Sequence, residues 1–290
     1  MDSLEELATR FEADRRHLKS VAFNLLGSLA EAEDVVQSAW LKASSADYRS
    51  VDNLTGWFTT ITAREAVDQL RARRRRAERP LDGSGELDRL VAAADDEVVL
   101  ADSVSRALLV VLDRLSPAQR VAFVLHDVFG VPFEAIGEAL GRSASAAKKL
   151  ASRARVQLHP APATRSPRSS AHTRLVEAFL AASRGGDIQT LLNLLAPDVV
   201  RTVDPALVPA GVALEIRGAK AVATETRRFA HRARAGVVVL VDGVPGIVIA
   251  PANRLEALLQ LRFDADDRIE AIDITADGER LRRASLMLPQ

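Results

Sequence analysis

The chain has 290 residues, 48% of them apolar and 27% charged, with 39 basic against 39 acidic side chains and no cysteine. That length supports two or three small domains, each with its own core, and the even charge balance excludes a uniformly basic nucleic-acid coat. Disulfides, thiolate nucleophiles and cysteine-ligated zinc are excluded too, and the lack of cysteine suits a reducing, cytoplasmic compartment.

The N-terminal MDSLEELATRFEADRR is acidic and is not followed by the apolar run of a secretory signal. From residue 1 to about 78 the pattern is helical. Leu18, Val21, Ala22 and Leu25 follow helical spacing, and Ala32, Val35, Val36, Ala39 and Trp40 repeat it after a turn at Gly27. A third helix is expected after Asp52 or Asn53 as cap, passing Trp57, Ile61 and Leu70 into an arginine run. Seven arginines stand against three acids between Arg64 and Arg79, and six acids against one arginine between Glu86 and Asp102. Pro80, Gly83 and Gly85 open that acidic connector.

A second helical block begins near Asp102. In LSPAQRVAFVLHDVFGVPFEAIGEALGRS, Ser116 is a cap with Pro117 behind it, Gly130 a stop, Pro132 a new start, Gly141 a second stop and Ser143 a third cap. Three short helices with tight turns follow from this punctuation. On the last of them Ala147, Leu150, Ala151, Ala154 and Leu158 share an apolar face. The opposite face carries Ser145, Lys148, Lys149 and Ser152, flanked by Arg153 and Arg155, and no acid occurs from Arg142 to Arg168. A basic helix surface is often only a solvated face. The missing acids, the short Gly141–Arg142 turn and the small polar residues between the lysines favour a helix–turn–helix whose second helix enters the DNA major groove.

His159 to Ser170, HPAPATRSPRSS, reads as a linker. The tail after it changes character, with helices at about 172–184 and 187–195 joined by Gly185 and Gly186, and an extended piece at Val199 to Val203. A second piece is possible at Val212 to Ile216, and a helix runs from Gly218 to about His231. Four strands are expected at 237–241, 247–250, 255–263 and 268–274. The apolar stretch from Ala235 approaches the length of a membrane span, but Asp242, Gly243, Pro245 and Gly246 interrupt it as a hairpin turn, so no membrane association is expected. Helices followed by an antiparallel meander make the tail an α+β domain.

The helix–turn–helix segment resembles the fourth conserved region of bacterial sigma-70 factors of the extracytoplasmic-function (ECF) class. LAEAEDVVQSAWLKA resembles the polymerase-binding helix of their second region, and LTGWFTTITAREAVDQLRARRRR their promoter-melting and −10-reading helix. With the α+β tail, the chain is similar to the SigJ-related subgroup, whose C-terminal extension is a SnoaL-like, NTF2-like cone. The implied architecture is multidomain: two all-α sigma domains, the second a helix–turn–helix, followed by the cone. Region 2 would span 1–79, an acidic linker 80–103, region 4 104–158, a Pro/Ser/Arg linker 159–170 and the cone 171–290.

The resemblance implies that Asp34, Gln37 and Trp40 meet core RNA polymerase, although Trp40 also reads as a core residue. It places Tyr48 and Asn53 in the loop that captures an unstacked promoter base. Arg64, Asp68, Arg71, Arg74 and Arg75 fall on the −10-reading helix, and Ser145, Lys148, Lys149, Ser152 and Arg153 on the −35-reading one. In the run Arg73 to Arg76, some arginines serve phosphates or only solvation. The linker lacks the Trp-Leu-Pro-Glu-Pro motif of a related subgroup and the tail its Asp-Gly-Gly-Gly-Lys motif, so contacts that depend on them are not expected.

Cones of this kind hold a pocket between sheet and helices, and Asp204, Arg227, Arg228 and His231 are its candidate polar residues here. A carboxylate there could abstract a proton, but no second acid or histidine is placed to complete a set. The expectation is therefore a non-enzymatic transcription initiation factor without cofactor or metal, whose partners are core RNA polymerase and promoter DNA. The cone modulates it, while an anti-sigma partner and a small ligand stay open. The alternative is a one-component DNA-binding regulator sensing a small ligand through the tail, which would not need the Asp34–Trp40 helix.

Overall fold

The computed structural model describes residues 3–76, 103–158 and 167–289. The acidic connector from Glu86 to Asp102 and residues 159–166 of the linker lie outside the described residues. Contacts divide the chain into two compact units, one within Met1–Arg79 and Leu115–Val156, the other within Pro80–Arg114 and Gln157–Gln290.

The first unit starts with three helices, α1 (Ser3–Leu26), α2 (Leu29–Ser45) and α3 (Leu54–Arg76), which pack pairwise. Gly27, at φ +76°, ends α1, and the Ser28 side chain accepts the Glu31 N–H to cap α2. Asn53 Oδ1 accepts the Gly56 N–H at 2.9 Å and caps α3 as the sequence suggests. Leu18, Val21, Leu25, Val35 and Ala39 are buried, and Phe11 joins Trp40 and Phe58 with ring centroids 5.2 and 5.0 Å away.

The helix–turn–helix follows as α5 (Pro117–Phe123), a single π-helical turn (Val124–Val128), α6 (Phe133–Leu140) and α7 (Ala144–Leu158); α4 belongs to the other unit. Ser116 and Gln119 form a reciprocal capping box around Pro117. Gly130 and Gly141 both adopt positive φ, and Ser143 Oγ accepts the Ala146 N–H at 3.2 Å. All of the expected stops and caps of this segment are present. The helices α5 and α6 pack against α3 within this unit.

The second unit holds α4 (Ser103–Asp113), α8 (Pro167–Gly185), α9 (Ile188–Leu194), β1 (Leu195–Val203), β2 (Glu215–Arg217), α10 (Ala219–Arg228) and α11 (Ala230–Arg234). It continues with β3 (Gly236–Val241), β4 (Val244–Ile249), β5 (Ala257–Phe263), β6 (Ile269–Thr275), α12 (Gly278–Arg283) and β7 (Leu286–Met287). The sheet order is β2-β1-β6-β5-β4-β3-β7. The antiparallel meander β3 to β6 is as expected. Beyond the expectation, β1 runs parallel to β6, pairing Val200 with Ala271 and Thr202 with Asp273. Such a pair needs a long crossover, which helices α10 and α11 and the meander supply. The core lies between the sheet and α8 to α11, around Val176, Phe179, Leu191, Val199, Val222 and Ile247.

Three expectations are corrected by local chemistry. Helix α8 begins at Pro167, inside the expected linker, because proline suits the first helical turn, where its missing N–H costs nothing. The expected helix from Gly218 to His231 divides at Phe229 into α10 and α11. The hairpin turn is only Asp242–Gly243, with φ +52° and +86°, while Pro245 and Gly246 lie in β4 opposite Leu240 and Val239.

Candidate DNA-facing and polymerase-facing surfaces

On α7 the apolar stripe is closed, with Ala147, Ala151, Ala154 and Leu158 fully buried. Opposite it, Ser145, Lys148, Lys149, Ser152 and Arg153 are all exposed. Among the described residues no acid pairs with Lys148, Lys149, Arg153 or the neighbouring Arg142. Arg155 differs: its guanidinium grips Asp127 at 2.6 and 3.1 Å, which anchors α7 to the π-helical turn. The turn before α7 depends on a residue that sequence reasoning passed over. A Cβ on Gly137 would come within 2.7 Å of the Arg142 carbonyl and 3.0 Å of the Ala144 nitrogen. Only a glycine lets the chain fold back this tightly, and its only signal was a mid-helix glycine four residues before the Gly141 stop.

On α2, Asp34 and Gln37 are exposed with no partner among the described residues. Leu41, one turn further along the same face, is 67% exposed, an apolar residue facing solvent that the sequence reading did not single out. Trp40 turns the other way and is half-buried against Phe11, in line with its core reading. The face is thus an acid, an amide and a leucine, a composition suited to a protein partner.

The loop between α2 and α3 contains a turn closed by the Val51 N–H to the Tyr48 carbonyl at 3.0 Å. Tyr48 is half-buried, and its enclosed hydroxyl finds no hydrogen-bond partner among the described residues, an unspent capacity at this loop. Asn53 is exposed, but its side-chain oxygen is committed to the α3 cap.

Along α3 the arginines separate into kinds. Arg73 donates to the Leu26 carbonyl at 2.9 Å and pairs with Glu31, so it ties α3 to the α1–α2 corner. Arg71 pairs with Asp68 at 3.3 Å along the exposed side. Arg64 donates to the Glu138 carbonyl at 3.0 Å and to its carboxylate at 3.3 Å, linking α3 to α6. Arg74 and Arg75 lie on the last described turn of α3; their side chains lie outside the described residues.

In the cone, the expected pocket residues do not meet in its cavity. Asp204 caps a short 3₁₀ turn through the Ala206 N–H at 3.1 Å and accepts the Ala276 N–H at 3.4 Å. Arg227 and Arg228 border an open surface depression, and His231 is exposed on α11. The enclosed cavity, about 110 Å³, is walled mainly by apolar residues such as Phe179, Leu207, Ile249 and Ile272. Its charged groups are Arg201, Glu225 and Arg232. Arg201 Nη2 lies 2.6 Å from Glu225 Oε2, and Arg232 sits 4.8 Å from the Phe229 ring centroid. That the four residues do not line this cavity has a simple cause. Which residues of β1 and α10 face the cavity depends on the β1–β6 register and the break at Phe229, neither of which is visible in the chain.

The same unit holds α4. Arg106 Nη1 donates to the Arg234 carbonyl at 2.9 Å, and Arg114 Nη2 to the Arg282 and Ala284 carbonyls at 2.7 and 3.1 Å. Burial lowers the pKa of the Arg114 guanidinium. At the far end of α7, the Leu158 carbonyl accepts the Leu288 N–H at 3.1 Å.

Comparison with known proteins settles the lineage of this arrangement. Residues 10–76 match the family described as Sigma-70 region 2, and residues 105–158 that described as Sigma-70, region 4. Over 270 residues the chain is 33% identical to the probable ECF RNA polymerase sigma factor SigI of Mycobacterium tuberculosis, with 91% of each chain covered. The chain belongs to the ECF sigma factor family. It is also 44% identical over 203 residues to ECF RNA polymerase sigma factor SigJ of the same organism, covering 68% of this chain and 64% of that one. The crystal structure of M. tuberculosis SigJ matches with 33% identity over 94% of this chain and 97% of that chain, at a TM-score of 0.43. As an ECF sigma factor the chain is an alternative sigma factor, of a family that is non-enzymatic and binds core RNA polymerase and promoter DNA. Among the described residues no helix is long and apolar enough to cross a membrane.

Proposed function

We propose that the exposed Asp34, Gln37 and Leu41 of α2 meet core RNA polymerase and that the open face of α7, Lys148, Lys149 and Arg153 with Ser145 and Ser152, addresses the −35 element. Tyr48, Asn53, Arg64, Asp68, Arg71, Arg74 and Arg75 belong to the −10 side. The observation that carries this reading is that, among the described residues, no acid pairs with Lys148, Lys149 or Arg153, whereas Arg155 of the same helix is taken by Asp127. Cations left unpaired along one face are available to phosphates, whose neutralisation drives most of the affinity. The functional modules are residues 1–79, 104–158 and a cone that starts with α8 at Pro167, joined by linkers.

Arg64 is held by Glu138 in the free protein. The −10 and −35 elements are separate stretches of the duplex, so α3 parts from α6 for both to be read. The Arg64–Glu138 contact therefore marks a resting arrangement that polymerase opens. The cone modulates the step by holding α4, the first helix of region 4, through Arg106 and Arg114.

The test is binding of the full chain to bacterial core polymerase. Asp34→Arg combined with Gln37→Ala and Leu41→Ala, which leaves the buried side of α2 intact, should abolish co-elution with core while the helical circular dichroism stays unchanged. Undiminished co-elution would overturn the polymerase-facing assignment.

A further inference from the structure

Where α4 meets the cone there is a cavity of about 370 Å³, within the range of small-molecule sites. It is separate from the 110 Å³ cavity inside the cone. Two arginines line it, Arg106 from α4 and Arg184 from α8. Arg106 is 7% exposed, and Arg184 is half-buried. Both face the turn from α11 into β3. Arg106 donates to the Arg234 carbonyl, and Arg184 to the carbonyls of Ala233 at 3.0 Å and Gly236 at 2.6 Å.

Those bonds satisfy the end of α11 but leave the charges unanswered. A guanidinium has five N–H donors; Arg106 spends one on this turn and Arg184 two. No acid pairs with either among the described residues. The two charges also act on each other: burial first, and the Arg184 charge second, lower the Arg106 guanidinium to about 10. A buried charge beside a half-buried like charge, with no acid paired to either among the described residues, is costly. An anion placed between them would remove that cost.

We propose that this cavity binds a small organic monocarboxylate, its carboxylate between Arg106 and Arg184 and its apolar tail along Leu180, Val238 and Leu288. The tail assignment follows from that lining, and single charge from Glu177, the one acid bordering the cavity among the described residues, which disfavours a dianion. Because one arginine comes from α4 and the other from the cone, the bound carboxylate clamps the first helix of region 4 onto the cone. Only this regulatory consequence rests on the sigma-factor reading; the binding itself does not.

The experiment uses the full chain at constant ionic strength. Thermal melting and calorimetry are recorded with hexanoate and benzoate, with the matched neutral probes hexanamide and benzyl alcohol, and with inorganic phosphate. Saturable stabilisation by hexanoate or benzoate is expected, absent with the neutral probes. Losing the charge-assisted hydrogen bonds in Arg184→Gln should weaken carboxylate binding by roughly tenfold to a hundredfold. Glu177→Gln, which leaves both arginines in place, should tighten it. Hydrogen exchange across Ser103–Asp113 should slow when hexanoate is bound. Equal stabilisation by hexanamide, no saturable effect of either carboxylate, or unchanged binding in both variants would overturn the proposal. Binding of phosphate without hexanoate would overturn the monocarboxylate assignment.

Discussion

The arginines and lysines of α7 and those of the cone are the same residue types put to opposite uses. On α7, Lys148, Lys149 and Arg153 stand in solvent, and among the described residues no acid pairs with them. In the cone, Arg201 is buried against Glu225, and Arg232 is tied to a backbone carbonyl. The exposed cations of α7 keep their charge available for a partner, and the buried Arg201 and Arg232 spend theirs holding the fold. The contrast also runs along a single helix, since Arg153 is open while Arg155, two residues on, is taken by Asp127.

The difference can be broken from either side. The largest expected effect is in the cone, where Arg201→Ala leaves Glu225 as an uncompensated buried charge and should cost about 3–5 kcal/mol. Urea denaturation followed by tryptophan-independent circular dichroism measures it, since both tryptophans lie in the first unit. A loss below about 1 kcal/mol would mean the pair is not buried in solution.

Next comes the α7 face. Lys148→Ala with Lys149→Ala should leave thermal stability unchanged and lower the salt slope of promoter binding by the holoenzyme by about 2, at about 0.9 per lost phosphate contact. An unchanged slope would make this face merely solvated.

A smaller effect is expected at the exposed Arg64–Glu138 contact, worth about 0.2–1 kcal/mol. Glu138→Ala, which removes the carboxylate contact and keeps the carbonyl one, should raise open-complex formation by about 1.5- to 5-fold at most by weakening the hold on Arg64, read by permanganate footprinting. No change would show that the contact does not restrain opening.

The smallest is a pH effect at the hairpin. Burial pushes Asp242 up, but the Ser285 N–H at 2.9 Å and Arg280 outweigh it and hold the carboxyl below its ordinary 3.8. A lowered carboxyl contributes stability that is present above its unfolded value and lost as pH falls through the folded one. Asp242→Asn should therefore lower the melting temperature near neutral pH and lose less of it on acidification below pH 4 (roughly the unfolded value) than the parent chain does. Parallel acid-side curves would remove the role given to this carboxylate.

What could be read from the chain follows the range of the interactions. Ser116, Gly130, Gly141, Ser143 and Asn53 act within a turn of themselves, so the helix–turn–helix and the start of α3 were legible. The exposed face of α7 was equally legible, because helical spacing alone separates it from the buried alanines. Leu41 was missed because one apolar residue on a polar face is common at surfaces. Position along the chain also hid the parallel β1–β6 pair, the turn of Arg73 toward Glu31 and the docking of α4 on the cone. Each joins residues tens to more than a hundred positions apart, as Arg106 to Arg234 does. The lining of the cone's cavity was hidden for the same reason, since Arg201 meets Glu225 on another element.

On the proposed function, α7 finds promoter DNA as part of a polymerase-bound sigma factor. Reconstituted transcription with bacterial core polymerase tests it most directly. The account predicts initiation that requires both core and this chain and that falls sharply in the Lys148→Ala, Lys149→Ala double variant. Absence of core-dependent initiation at every candidate promoter, together with tight specific binding of the free protein to DNA, would contradict it.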